Sequence, residues 1–120
     1  MNNTTASLIV IGSELTRGII SDKHGQLVSR ELTKLGYHIS QLVAIPDDGT
    51  IEQILHALLK SNDVIIITGG LGPTSDDMTR QAISDVAGRK LVKNEAAYSR
   101  LYKRVGERIH GANEKQAYFP

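Results

Sequence analysis

The chain has 120 residues, of which 40% are hydrophobic and none is cysteine. This length suits one domain of ordinary globular composition, and the lack of cysteine excludes a disulfide framework, thiolate metal sites and a cysteine nucleophile. The longest apolar runs, residues 8–11 and 64–67, are far shorter than the roughly 18 residues of a membrane span. A basic and apolar leader is also lacking. We therefore expect a cytoplasmic protein with no membrane partner.

The formal net charge of +1 hides an uneven distribution. Residues 1–77 carry 5 basic and 9 acidic side chains, whereas residues 78–120 carry 9 basic and 4 acidic ones. The basic part could meet phosphates or an acidic partner, or could form the solvated faces of helices. With one Phe and no Trp, the chain lacks the aromatic platforms on which single-stranded nucleic acids stack. No nucleic-acid partner is expected.

Strand and helix patterns alternate along the first half of the chain. Polar residues 1–6 predict a frayed start, and the β-branched run at 7–12 predicts a buried strand. A helix follows at 23–35, then a second strand at 37–45 and a turn at 46–49. The inward face of that helix is predicted to consist of Leu27, Val28, Leu32 and Leu35.

The next helix has the clearest amphipathic pattern. Thr50 and Gln53 have the spacing of a capping box at its N-terminus. Its apolar face is predicted to consist of Ile51, Ile54, Leu55, Leu58 and Leu59. The strand at 64–68 reads VIIIT and is apolar throughout, so we expect it to be central in the sheet and covered on both faces.

A glycine-rich loop at 69–77 precedes two more helices. The first carries Met78, Ala82, Ile83 and Val86 inward and is closed by Gly88. The second is predicted to run from Asn94 to Gly111, with an inward face of Tyr98, Leu101, Tyr102, Val105 and Ile109. Strands alternating with helices imply βαβ crossovers. The predicted fold class is therefore α/β, a three-layer sandwich with a mostly parallel sheet.

Ligands of open parallel sheets bind beyond the carboxyl ends of the strands. Three loops occupy these ends, and they hold five acids: Glu14, Asp47, Asp48, Asp76 and Asp77. Carboxylates beside exposed N–H groups suit a hard cation such as Mg²⁺ that bridges to phosphate. Alternatively, Asp47 and Asp48 serve the turn, and Asp76 or Asp77 caps the following helix.

The glycine loop is not a dinucleotide fingerprint, because Ser75 replaces its last glycine and the loop follows the third strand. A P-loop motif is also lacking. What remains is a flexible turn with Thr and Ser hydroxyls and acids at a helix N-terminus, which favours anions. The predicted phosphate-binding residues lie in the first and third loops and are Gly12, Ser13, Glu14, Thr68, Gly69, Gly70, Gly72, Thr74 and Ser75.

These segments resemble one known family. GSEL at 12–15, with Gly18 and Asp22, resembles the opening motif of the competence/damage-inducible protein CinA. TGGLGPTSDDMT at 68–79 is similar to the long signature of that family, and NEKQA at 113–117 resembles its N-x-K-Q-A segment. The resemblance implies the molybdopterin-binding fold shared with the MoaB, Mog and MoeA proteins.

The resemblance also implies a function. Asp47 and Asp77 match acids important for metal-dependent chemistry, with Asp76 as a further metal ligand, and the glycine loop matches a pterin-phosphate site. In CinA proteins the domain is associated with metal-dependent ADP-ribose pyrophosphatase activity. The implied protein is a homo-oligomeric hydrolase with a divalent metal, with Asp47 and Asp77 as catalytic residues.

Two departures from the family pattern leave alternatives open. The family Asp-x-Asn is Asp22-Lys23-His24 here, whereas Leu71 favours CinA over the pterin-synthesis enzymes. The family domain continues beyond its N-x-K-Q-A segment, so residues 7–120 are predicted to form a C-terminally incomplete domain. A molybdopterin-binding module, or a non-catalytic oligomerisation domain, are the alternative functions.

Overall fold

A computed structural model of the chain describes residues 4–48, 50–109 and 111–120. The chain divides into two compact units, Met1–Gly69 and Gly70–Pro120, which we call the N-terminal and C-terminal units. Among the described residues, none of the helices is both long and apolar enough to cross a membrane.

The N-terminal unit alternates strands with helices in the predicted order. Its elements are β1 (Thr5–Ile11), α1 (Ser13–Thr16), α2 (His24–Lys34), β2 (His38–Ile45), α3 (Ile51–Leu59) and β3 (Val64–Thr68). Strand β1 begins two residues earlier than predicted, and the one-turn helix α1 lies in what was expected to be a loop. Residues 1–3 of the predicted frayed start lie outside the described residues.

The sheet of this unit has the order β2-β1-β3, and both strand pairs are parallel. The prediction of a parallel sheet is confirmed. The prediction that residues 64–68 form the central strand is wrong, because β1 pairs on both sides and Ile9 lies opposite both Val43 and Ile67. Strand β1 is buried from Ala6 to Ile11, whereas β3 is only half-buried. Both strands are apolar runs, so composition alone could not decide which is the inner one.

Helix α3 buries Ile51, Leu55 and Leu58 as its pattern predicts. The capping box is not formed: Thr50 has φ −75° and ψ −3°, and its side chain makes no capping hydrogen bond. A capping residue normally has an extended backbone, so the helical conformation of Thr50 explains the failure. Its buried Oγ1 has no hydrogen-bond partner among the described residues.

Three polar side chains of the N-terminal unit, Ser7, Ser40 and Asn62, form a hydrogen-bonded cluster. The fully buried Ser7 hydroxyl is 2.7 Å from Ser40 Oγ and donates to Asn62 Oδ1 at 2.9 Å. The Asn62 amide donates in turn to Leu58 O. The register of β1 and β2 shifts between Ala6 and Ser7, next to this cluster. The buried Ser7 hydroxyl is therefore paired and leaves no unsatisfied polar group in the strand.

The C-terminal unit contains short elements joined by tight turns. They are α4 (Thr79–Ala87), β4 (Val92–Lys93), α5 (Glu95–Val105), a 3₁₀ turn (Gly106–Arg108), α6 (Gly111–Glu114), a second 3₁₀ turn (Lys115–Ala117) and β5 (Tyr118–Phe119). Helix α5 begins next to Asn94, where its start was predicted, and Asn94 caps it by accepting a hydrogen bond from Ala97 N at 2.9 Å. Helix α5 ends at Val105, earlier than predicted, because Gly106 adopts φ +58°. Strands β4 and β5, which the sequence did not predict, pair antiparallel.

Several side chains that were predicted to face inward are exposed. They are Leu27, Leu35, Leu59, Met78 and Tyr102. In α4, Ala82 is buried as predicted, but Thr79 and Ser84 are its other buried residues. Helical periodicity therefore located the helices correctly and overestimated the width of their buried faces.

Candidate functional site

The first two predicted loops meet at the carboxyl ends of β1 and β2. Ser13 N donates to Asp47 Oδ2 at 3.2 Å, and Asp47 N donates to Ser13 Oγ at the same distance. Gly12 N donates to Ile45 O at 2.9 Å, directly below this pair. The predicted neighbourhood of Ser13 and Asp47 is confirmed, and their reciprocal bonds hold the Asp47 carboxylate against the main chain. Glu14 and Asp48 are exposed beside them.

A cavity of about 730 Å³ lies at the same end of the N-terminal unit. Its lining mixes apolar and ionisable side chains: Val10, Ile11, Glu14, Leu15, Ile20, Ser21, Asp22, Lys23, His24 and Gly69. Asp22 accepts a hydrogen bond from Gly25 N at 2.9 Å and thereby satisfies a free N–H of the first turn of α2. Of the residues that line this cavity, Glu14 and Gly69 were predicted from the sequence to bind phosphate. Asp22 and His24 entered the prediction only as positions of the family motif.

Gly69 allows the third loop to leave β3 close to the end of β1. Its φ is +92°, and a side chain at this position would collide with the Ile11 carbonyl oxygen. Gly70 at φ +64° is similarly restricted, because a Cβ would meet Thr79 Oγ1. Only glycine accommodates both the left-handed conformation and the close approach. The predicted role of the loop glycines in a tight turn is therefore confirmed at these two positions.

Asp77 is the most firmly held carboxylate of the C-terminal unit. Its Oδ2 accepts hydrogen bonds from Thr74 N at 2.9 Å and from Thr74 Oγ1 at 2.7 Å. Burial by itself would raise the pKa of Asp77, but the two Thr74 bonds, a bond from the Gly72 backbone and the charge of Lys115 together lower it. The carboxylate is therefore ionised at neutral pH and fixed in place.

The alternative that Asp76 or Asp77 caps α4 is wrong. The residue at the cap position is Met78, which makes no side-chain capping bond, and the Asp77 carboxylate instead bonds back into the loop. Asp76 and Ser75 are exposed. The loop thus closes on itself before the helix begins, with Thr79 N donating to Gly70 O at 3.2 Å.

Three side chains that sequence reasoning did not place in the site hold the carbonyl oxygens of this loop. Lys115 Nζ donates to Thr74 O and, at 3.0 Å, to Asp77 O. Leu71 O accepts from Arg80 Nη2 at 2.8 Å and from Gln116 Nε2 at 3.4 Å. The N-x-K-Q-A segment was a signal for Lys115 and Gln116, but nothing in the sequence singled out Arg80.

A metal site built only from protein side chains is not found: no group of three or more His, Asp or Glu suited to a metal occurs among residues 4–48, 50–109 and 111–120. Mg²⁺, however, is usually held by one or two carboxylates together with waters and the phosphates of a ligand. The ionised, fixed Asp77 suits that mode of binding. Joint binding of a metal by Asp47, Asp76 and Asp77 stays a prediction.

The fold and these loops agree with the comparisons with known proteins. Residues 7–117 match the family model described as a probable molybdopterin binding domain. The chain therefore belongs to this domain family, and its relatives are CinA-like. It is 42% identical over 116 residues to the CinA-like protein of Thermosipho melanesiensis, and the aligned region covers 92% of this chain and 29% of that protein. It is 37% identical over 119 residues to a putative competence-damage inducible protein of Alkaliphilus oremlandii, covering 96% and 29%.

Solved structures show the same relationship. The CinA protein from Thermoplasma acidophilum matches with a TM-score of 0.91 at 29% identity, over 100% of this chain and 72% of that one. The MoaB protein from Pyrococcus furiosus, described as synthesising tungsten cofactor, matches with a TM-score of 0.62 at 27% identity, over 88% and 67%. Both the family and the α/β fold predicted from the sequence are confirmed. The chain spans less than a third of the length of the two curated relatives.

Proposed function

We propose that this domain binds a nucleoside diphosphate of the ADP-ribose type and hydrolyses its phosphoanhydride with a divalent metal. The observation that carries the proposal is the Asp77 carboxylate, which the Thr74 and Gly72 bonds keep ionised inside a glycine loop. A metal ligand must be deprotonated, and a loop rich in glycine lets phosphate oxygens approach its N–H groups. The similarity to CinA-like proteins agrees with this function.

In the proposed hydrolysis each site residue has a separate role. Asp77 would hold the cation, while loop amides and the Ser75 hydroxyl would bind phosphate oxygens. The Thr74 hydroxyl, predicted from the sequence to contact phosphate, donates to Asp77 Oδ2 and positions that carboxylate instead. By the family resemblance Asp47 is the second acid of the reaction: held by Ser13 N at 3.2 Å, it would orient the attacking water and accept its proton. The bound metal supplies polarisation of the phosphoryl oxygens. A new P–O bond to water forms as the bridging P–O bond breaks, and two phosphate monoesters leave.

Release of the two monoesters from ADP-ribose, with and without Mg²⁺, tests the proposal. Asp47→Asn and Asp77→Asn each remove one charge with little change of shape, and we expect a loss of about 100-fold or more in turnover. Glu52→Gln is the matched control, because Glu52 lies exposed on α3 and lies outside both loops. Equal turnover of the wild type and the double Asp variant would exclude this function.

A molybdopterin-binding module is the second candidate, and the observation that favours it is the match of residues 7–117 to a probable molybdopterin binding domain. Calorimetry with molybdopterin and with ADP-ribose separates the two, because a pterin module binds the first and not the second. If neither ligand binds while the chain self-associates, the domain serves assembly of a homo-oligomer.

A further inference from the structure

A second cavity, of about 230 Å³, lies within the C-terminal unit. Its polar lining consists of Ser75, Asp77, Arg80, Gln81 and Lys115. All of these residues belong to one unit, and three of them, Arg80, Gln81 and Lys115, were not among the residues predicted for the site. Arg80 and Lys115 place two positive charges at one small cavity, and Asp77 is the single carboxylate in its lining.

Neither cation forms a salt bridge among the described residues, although the charge of Asp77 acts on both of them. The ion pairs of the described residues are Lys34 with Glu31 and Lys93 with Glu114, so neither Arg80 nor Lys115 forms a salt bridge there. Both cations bond instead to the main-chain carbonyl oxygens of the glycine loop. A carbonyl bond satisfies a donor without neutralising its charge. The ionised lining of the cavity therefore keeps a net positive charge.

Arg80 is held in place for binding an anion. Its guanidinium lies over the Phe119 ring, 5.5 Å from the centroid, and Nη2 is bonded to Leu71 O. Burial lowers the pKa of Arg80, although the charge of Asp77 opposes this, which shows that the charged form has lost solvation. Its buried Nε has no hydrogen-bond partner among the described residues. Partial loss of solvation of a charged group is costly where its charge is only partly compensated, and an anion in the cavity would remove part of that cost.

Lys115 and the neutral side chains complete the chemistry of the cavity. The ammonium has three donors, of which two serve Thr74 O and Asp77 O, so one remains for a ligand. Ser75 and Gln81 add a hydroxyl and an amide. A planar guanidinium, one ammonium donor and a hydroxyl suit the several oxygens of a phosphate group.

We infer that this cavity is a phosphate-binding subsite in which Arg80 and Lys115 supply the positive charge. Asp77, the proposed metal ligand, also lines this cavity. The identity of the ligand therefore rests on the proposed function: the second phosphate of the nucleoside diphosphate would occupy the subsite. The anion chemistry itself does not depend on turnover. The phosphate could belong to a nucleoside diphosphate or be free inorganic phosphate, and both share this chemistry.

Calorimetric titration with inorganic phosphate and with pyrophosphate tests the subsite. Arg80→Gln is expected to weaken binding about tenfold to a hundredfold, as for one lost charge-assisted bond, and Arg80→Lys less. Arg100→Gln is the matched control, because Arg100 is exposed on α5 and outside the cavity; its affinity should equal that of the wild type. Equal affinity of the Arg80→Gln and wild-type proteins, or no binding of either anion by the wild type, would overturn the inference.

A measurement on the wild type makes the result independent of how well the variants fold. Phosphate should shift the amide resonances of Ser75 and Gln81 and the Arg80 Nε resonance in NMR spectra, and shifts confined to other residues would contradict the subsite. Displacement of phosphate by ADP-ribose assigns the subsite to the nucleotide, whereas simultaneous binding assigns it to free phosphate. If phosphate binds but ADP-ribose is not hydrolysed, the proposed function is excluded and the subsite is supported. If ADP-ribose is hydrolysed but phosphate does not bind, the subsite is excluded and the proposed function is supported.

Discussion

Each of the two units is stabilised internally by a different kind of interaction. Nine of the buried hydrophobic side chains belong to the N-terminal unit: Ala6, Leu8, Ile9, Val10, Ile11, Ile45, Ile51, Leu55 and Leu58. The C-terminal unit contributes Ala82 and Ala117 to the same set. Its loop is held instead by Lys115, Arg80 and the Asp77 carboxylate. Apolar burial involves no titrating group and is not weakened by ionic screening, whereas charged hydrogen bonds depend on both pH and ionic strength. The N-terminal unit is a scaffold, and the glycine loop is the part that charge can tune.

The largest effect is expected from the core of the scaffold. Leu8 is fully buried in the central strand, so Leu8→Ala should lower the free energy of unfolding by about 2–5 kcal/mol through lost burial and a cavity. Urea unfolding followed by circular dichroism measures this. Leu59→Ala is the control, because Leu59 is 50% exposed, and it should cost clearly less. Similar losses for the two variants would contradict the assignment of the core to β1.

A smaller effect, confined to the other unit, is expected from Lys115→Gln. This change removes the ammonium donor of Thr74 O and Asp77 O and should cost about 1–2 kcal/mol. Amide hydrogen exchange should become faster at residues 71–77 and stay unchanged in β1. Lys90→Gln, at an exposed position, is the control and should alter neither. Uniformly faster exchange in both units would show that Lys115 does not act locally.

The smallest effect is a pH dependence due to Asp77. The fold lowers the pKa of this carboxyl, so its contribution to stability is full above the unfolded-state pKa and is lost as pH falls through the lower, folded value. The difference in thermal midpoint between wild type and Asp77→Asn should therefore shrink on acidification from about pH 6 to about pH 3. A constant difference for Asp77→Asn would contradict the lowered pKa.

Local patterns predicted the elements well where the chain carries long periodic or apolar runs. The bounds of β3 and the predicted start of α5 at Asn94 agree with the structure. Gly88 ends α4 as predicted, and it does so in the left-handed conformation. The pair of two-residue strands β4 and β5 was missed because such short strands carry no pattern. The capping box at Thr50 failed because residue types indicate a cap only when the backbone there is extended.

The sequence predicted a set of residues for the candidate site, and the structure tests only some of the contacts between them. The pairing of Ser13 with Asp47 follows from the adjacency of parallel strand ends, and the structure confirms it. The bonds of Lys115 to the loop join residues 38 and 41 positions apart, and no local pattern reports contacts at such separation. In the sequence Arg80 cannot be told apart from the other basic residues of the predicted helices. Its stacking on Phe119 and its hydrogen bond to Leu71 O, both seen only in the structure, set it apart from them.

The sequence by itself determined the parallel α/β architecture, the family and the glycine and aspartate loop, because hydrophobic period, turn chemistry and motif spacing are local properties of the chain. Tertiary structure alone decided that β1 is the inner strand, that Asp77 bonds back to Thr74 instead of capping α4, and that Lys115 and Arg80 hold the loop. Each of these depends on which distant segments meet. That choice depends on the packing of the whole chain, which a pattern of neighbouring residues does not report.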